Sequence, residues 1–141
     1  DIDACYELYR SVHARSFELN VFPLPRRRFE VAFDHPEYEV LRLYLRDQPE
    51  TGPVAVLLSH IDGGTHTALL IGLDDATRLQ RNCYKQALFQ AVERAQSQGC
   101  TRINLAFTAE LEKKKLGARP VETFAFIQAE DDFAATVMQN M

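Results

Sequence analysis

Between Asn82 and Gln98, apolar and small residues recur at three-then-four spacing: Tyr84, Ala87, Leu88, Ala91, Val92 and Ala95. That is the stripe of one helical face. Three of the six are alanines, and small side chains let a helix axis approach a sheet closely, so this face is expected against strands, with Gln86, Gln90, Glu93, Arg94 and Ser97 in water. Gly99, just past the last periodic position, marks the end. The flanking stretches at residues 67–73 and 102–107 are short and apolar enough for buried strands. Strand, helix, strand in this order predicts a right-handed crossover between parallel strands, with the helix start aimed at the carboxyl end of the first strand. A phosphate-bearing ligand is expected at that corner.

The rest of the chain alternates between the same two periods. Ile2, Cys5, Leu8, Tyr9 and Val12 share a helical face, predicting a first helix that ends near Ser16. After a proline-containing loop, Pro25 is placed to open a second short helix with Phe29, Ala32 and Phe33 inward, stopped by His35-Pro36. Arg26, Arg27 and Arg28 open that helix, either as a solvated turn or as an anion contact. Residues 39–46 alternate as a half-buried strand, residues 54–61 read as a strand buried on both faces, and Asp62-Gly63-Gly64 predicts a hairpin leading back through residues 65–73. An antiparallel meander therefore feeds the crossover. Beyond it, residues 108–116 read as a helix closed by Gly117, residues 121–127 alternate as a final strand, and Glu130-Asp131-Asp132 suits the first turn of a short last helix.

Composition narrows the classes. The 141 residues, 46% of them hydrophobic, make one globular domain over residues 1–141. A net charge of −4 argues against nucleic acid or an anionic membrane as partner. Three cysteines without close pairing suggest neither a disulfide framework nor a metal site, and point to a reducing, cytoplasmic setting. No apolar run approaches the roughly 20 residues of a membrane helix. Because the chain begins with Asp1, it is expected to be the C-terminal piece of a longer polypeptide.

The order helix, helix, three antiparallel strands, helix, parallel strand, helix, strand resembles the GNAT N-acyltransferase superfamily less its first strand. The resemblance implies an α/β (α+β) fold with a mixed sheet and helices on both faces. Residues 108–118, with Thr108, Lys113, Leu116 and Gly117, followed by Pro120, and Tyr84-Lys85 opening the main helix, resemble the FemAB-like branch. They are similar also to GNAT-type modules attached to 8-amino-7-oxononanoate synthase-like enzymes. The resemblance implies acyl-CoA as cofactor, its thioester held by the backbone of Leu70, Ile71, Gly72 and Leu73 and its pyrophosphate by Arg78, Arg81 and Asn82. The loop at residues 74–80 lacks the family's glycines and carries Asp74 and Asp75, which repel an anion, with Arg78 and Arg81 to offset them.

Acyl transfer to an amine needs a proton acceptor for the nucleophile and a donor for the leaving thiolate. Glu110 closely follows the second parallel strand, Thr108 opens the segment that carries the resemblance, and His60 ends a buried strand; these are the catalytic candidates. Each has a structural alternative: Glu110 as a first-turn carboxylate of a helix, His60 as a satisfied structural histidine. Family members often place a tyrosine on the last helix as the acid, and residues 108–117 contain none. The expected acceptor is a small-molecule amine or amino-acid-like compound. A non-catalytic binding or interaction domain, on a fused pyridoxal-phosphate enzyme, is the alternative.

Overall fold

The computed structural model describes residues 1–15, 22–77 and 81–124, and within them one sheet has the strand order β1-β2-β3-β4. β1 (Tyr38–Tyr44), β2 (Pro53–Asp62) and β3 (Thr65–Leu73) form the antiparallel meander, joined by a 3-10 turn at Pro49–Thr51 and the Gly63-Gly64 hairpin. Both hairpin glycines have positive φ, 51° and 73°, which a tight turn between twisted strands requires. β3 and β4 (Arg102–Asn104) are parallel, and α3 (Cys83–Ser97) crosses between them. The expected mixed sheet of meander plus crossover is what the chain forms.

Strand alternation sorts the side chains onto two faces. Leu41, Leu57, Ala68, Ile71, Ile103 and Leu105 meet Tyr84, Leu88 and Ala91 of α3. Val40, Val56 and Leu70 meet Cys5 and Tyr9 of α1 (Ile2–His13) and Phe29 of α2 (Arg26–Asp34). Helices thus cover both faces. Ala87, Ala91 and Ala95 are all buried, so the alanine stripe does set α3 close on the strands. On the other face the close approach is made by backbone. A Cβ on Gly72 would stand 2.5 Å from the Tyr9 amide nitrogen, so α1 rests directly on β3 at that glycine.

Several boundaries differ from the sequence reading. The strand expected over residues 102–107 stops at Asn104, because Ala106 takes a positive φ of 55° that no ladder accommodates. The helix expected from Thr108 begins two residues later, as α4 (Glu110–Lys115), since Thr108 and Ala109 are also left-handed. Pro25 is the N-cap of α2 rather than its first residue, and α1 ends at His13. Arg26 pairs with Asp3 and Glu30, and Arg28 donates to the Tyr38 hydroxyl at 2.9 Å, so these two arginines are occupied within the protein. Residues 121–124 have no regular structure, while the rest of the expected final strand and the tail with Glu130, Asp131 and Asp132 lie outside the described residues.

Candidate active site

The first wall of the site is the free part of β3. β4 pairs with it only at Thr65, His66 and Thr67, whereas β3 runs on to Leu73. Between these points lies a bulge: Ser59 faces Ala68 and Leu58 faces Leu70, which leaves Leu69 as an extra residue. A bulge bends and twists its strand, and this one lies just past the last β3–β4 pair. Beyond Thr67 and Asn104 the two strands no longer pair, and the open side of β3 forms one side of a wedge. The Asp74 amide donates to the Val54 carbonyl at 2.9 Å. By the alternation of an antiparallel ladder, the polar backbone groups of Leu70 and Gly72 then also face β2, and those of Ile71 and Leu73 face the wedge.

The second wall is the start of α3. Leu73 and Cys83 share a buried cluster, so the helix begins beside the end of β3. Its N-cap, Asn82, is left-handed at φ 52° and makes no side-chain capping bond. Among the described residues no side chain caps the first-turn amides, and this suits an anionic group. The two loop carboxylates are turned to other duties. Asp74 Oδ2 accepts from the Thr77 amide at 3.0 Å and the Thr77 hydroxyl at 2.8 Å, closing a local turn. Asp75 accepts from Ser11 Oγ of α1 at 3.1 Å and pairs with Arg15. Arg81 reaches Asp47 at 2.8 Å with both side chains about half exposed. Arg78 lies outside the described residues.

The third wall follows β4. Ala106, Thr108 and Ala109 have φ of 55°, 61° and 50°, a conformation that costs a residue with a side chain about 1–3 kcal/mol. Lys113, from α4, is buried, and its Nζ donates to the carbonyls of Ala106, at 3.2 Å, and Phe107. Burial pushes its ammonium pKa below the ordinary lysine value. Thr108 and Glu110 are exposed, and Glu110 pairs with Lys114. Glu112, held below the ordinary carboxylate range by its hydrogen bond from Lys115, also lies 3.9 Å from Lys85 and so links α4 to the first turn of α3. Tyr84 is half-buried beside this contact, and burial, then the Glu112 charge, push its phenol up.

The end of β3, the start of α3 and α4 are thus joined in series, through Leu73 with Cys83 and through Lys85 with Glu112. His60 stands elsewhere. It pairs across strands with Tyr38 and Thr67, 3.4 Å from Glu37 Oε2 and with its ring tilted against that of Tyr38 at 4.9 Å, towards the hairpin end of the sheet. Three features of the site carried no signal in the sequence reading: the Leu69 bulge, the left-handed run after β4, and the burial of Lys113. The last inverts the usual pattern, since Leu111 on the same short helix is 76% exposed and Lys113 8%. No helix among the described residues is long and apolar enough to cross a membrane.

A family model described as acetyltransferase (GNAT) domain matches residues 1–114. Among solved structures, an acetyltransferase from Trypanosoma brucei is similar at 16% identity and a TM-score of 0.66, covering 92% of this chain and 93% of that one. Glucosamine-6-phosphate N-acetyltransferase from Arabidopsis thaliana is similar at 13% identity and a TM-score of 0.62, covering 93% and 95%. The ribosomal-protein-S18-alanine N-acetyltransferase from Escherichia coli is similar at 18% identity and a TM-score of 0.59, covering 83% and 70%. At these identities the structures speak to the fold. No curated protein sequence matches the chain.

Proposed function

Since the chain belongs to the acetyltransferase (GNAT) domain family, we propose that it is an N-acyltransferase that binds acyl-CoA in the wedge and transfers the acyl group to an amine by direct attack. The observation that carries this reading is the free edge of β3 beyond the Leu69 bulge, set beside an α3 start that has no side-chain cap. Acyl-CoA, when bound, supplies the activated thioester. In this reading the backbone of Leu70 to Leu73 holds the acyl arm, with the amides of Ile71 and Leu73 as donors. The α3 amides behind Asn82 take the pyrophosphate, aided by Arg81 and Arg78. The Glu110 carboxylate accepts the proton of the attacking amine, and the Thr108 hydroxyl, in the same turn, orients it. The acceptor we propose is a small-molecule amine or amino-acid-like compound, met in the cytoplasm. The segment from Thr108 to Gly117 and Tyr84-Lys85 support placement in the FemAB-like branch.

A second reading, a non-catalytic binding domain attached to an 8-amino-7-oxononanoate synthase-like enzyme, is favoured by the absence of a tyrosine from α4 and by the engagement of Arg81 with Asp47. Calorimetric titration with acetyl-CoA separates the two. On the enzyme reading heat is released, and acetyl-CoA at about 100 times its dissociation constant adds about 2.7 kcal/mol of stability. Glu110→Gln should keep that binding while lowering transfer to a panel of primary amines by about 100-fold or more. Neither heat nor thermal stabilisation at millimolar acetyl-CoA overturns the enzyme reading and leaves the second.

A further inference from the structure

Lys113 takes no part in the transfer proposed above. It is a lysine buried in a short helix, where burial of an ammonium is unfavourable without compensating acceptors. Packing alone does not explain its place, because Leu111, an apolar residue of the same helix, points to solvent. What compensates the ammonium is specific: the carbonyls of Ala106 and Phe107. These two carbonyls lie within the run that contains the left-handed Ala106, Thr108 and Ala109. Glycine is the ordinary occupant of such φ values, so a run of alanines and a threonine holds them only where surroundings over-determine the backbone. The Lys113 backbone adds to that constraint, its amide donating to the Ala109 carbonyl at 3.3 Å.

We propose that Lys113 is a positioning residue: by pinning the carbonyls of Ala106 and Phe107 it sets the left-handed turn that presents Thr108 and Glu110 to the wedge. The inference rests on the acyl-transfer reading for its consequence and on the turn's own geometry for its substance. Lys113 does not touch substrate. Its two observed bonds go to backbone, and its effect on chemistry runs through the turn. Fixing reacting groups in the right place is worth a large rate factor, and misplacement by about 1 Å can cost about 100-fold.

Lys113→Met keeps the length of the side chain and removes its donors. The backbone φ of Ala106, Thr108 and Ala109 is read from three-bond couplings between the preceding carbonyl carbon and Hα, which are large at left-handed φ and small at right-handed φ, alongside acetyl-CoA affinity and transfer to whichever amine the wild type acetylates. The expected result is loss of the left-handed couplings, a kcat lower by about 100-fold, and an acetyl-CoA dissociation constant close to wild type. Adding Ala106→Gly and Ala109→Gly should restore part of kcat, because glycine takes left-handed φ without the lysine. Unchanged couplings in Lys113→Met, or a loss of affinity with kcat intact, overturn the proposal. If Lys113→Met does not fold, the triple variant decides: folding with measurable transfer supports positioning, and failure to fold shows a plain core anchor instead. A wild type that binds no acetyl-CoA defeats the acyl-transfer reading alone, and the couplings still decide the role of Lys113 in the turn.

Discussion

At the scale of single residues, positions with an exceptional environment make the sharpest expectations. Gly72 lies in the stretch assigned to acyl binding, but its missing side chain serves α1, whose backbone occupies the space a Cβ would need. Gly72→Ala should therefore destabilise the domain by about 1–3 kcal/mol, as overpacking of a tight contact does, and a urea midpoint equal to wild type would show that α1 is not seated on β3. Tyr84 titrates in a different register from a free phenol. Burial, and secondarily the Glu112 carboxylate, raise its folded-state pKa, while in the unfolded chain it ionises near the ordinary value of about 10. Its contribution to stability is thus full below pH 10 and is lost as pH rises from there through the folded-state value. Tyr84→Phe should flatten the alkaline decline in stability relative to wild type; parallel declines in the two proteins would contradict this. A polar group also lies buried at the far side of α3. His66 is fully buried, 3.5 Å from Glu39 Oε2, and Glu39 Oε1 accepts from Arg94 Nε at 2.7 Å and from Gln98 at 3.2 Å.

At the scale of elements, the packing of α3 and the loop before it can be tested separately. Ala91 is fully buried among Leu57, Ala68, Leu88 and Leu105. Ala91→Leu should cost about 1–3 kcal/mol in chemical denaturation, because the helix must lift from the strands to admit the added volume. Loop chemistry makes a prediction of opposite sign. Asp74 closes its turn through acceptor bonds from Thr77, which an asparagine Oδ1 can accept equally well. Asp74→Asn should accordingly preserve the turn and remove a charge near the α3 start. If acyl-CoA phosphates bind there, affinity should rise by on the order of 1 kcal/mol; a calorimetric constant that does not improve argues that no anion sits at this corner. Asp75 is a poor choice for the same test, because its bonds to Ser11 and Arg15 tie the loop to α1.

For the molecule as a whole, the wedge should be visible in amide exchange. Among the described residues Ile71 and Leu73 have no ladder partner on the open side, so their amides should exchange faster than those of Leu70 and Gly72, and acetyl-CoA should slow the first pair selectively. Equal protection of all four in the free protein would mean that the wedge is closed. Much of this architecture was legible in the residues alone. Periodicity found α3, its buried alanine face and the meander, because a side-chain stripe follows directly from helix or strand geometry, and the Gly63-Gly64 hairpin followed from backbone sterics. The corner between β3 and α3 followed from the handedness of the crossover. The rest depended on neighbours that no local pattern encodes. The Leu69 bulge is a property of register between β2 and β3, which no local pattern in either strand encodes. β4 ends at Asn104 because the next turn is left-handed, a conformation that alanine and threonine do not announce. Lys113 stands in the sequence only as part of the segment from Thr108 to Gly117, and its burial against the carbonyls of Ala106 and Phe107 is seen only in the fold. His60 could have faced the wedge or its opposite by local pattern, and pairing with Tyr38 and Thr67 fixed its place. The sequence by itself thus determined the elements and their connection, since these rest on short-range sterics and burial; only the tertiary structure decided strand register, the strained turn and the buried ammonium, since each is stable only against partners distant along the chain or held in an unusual backbone.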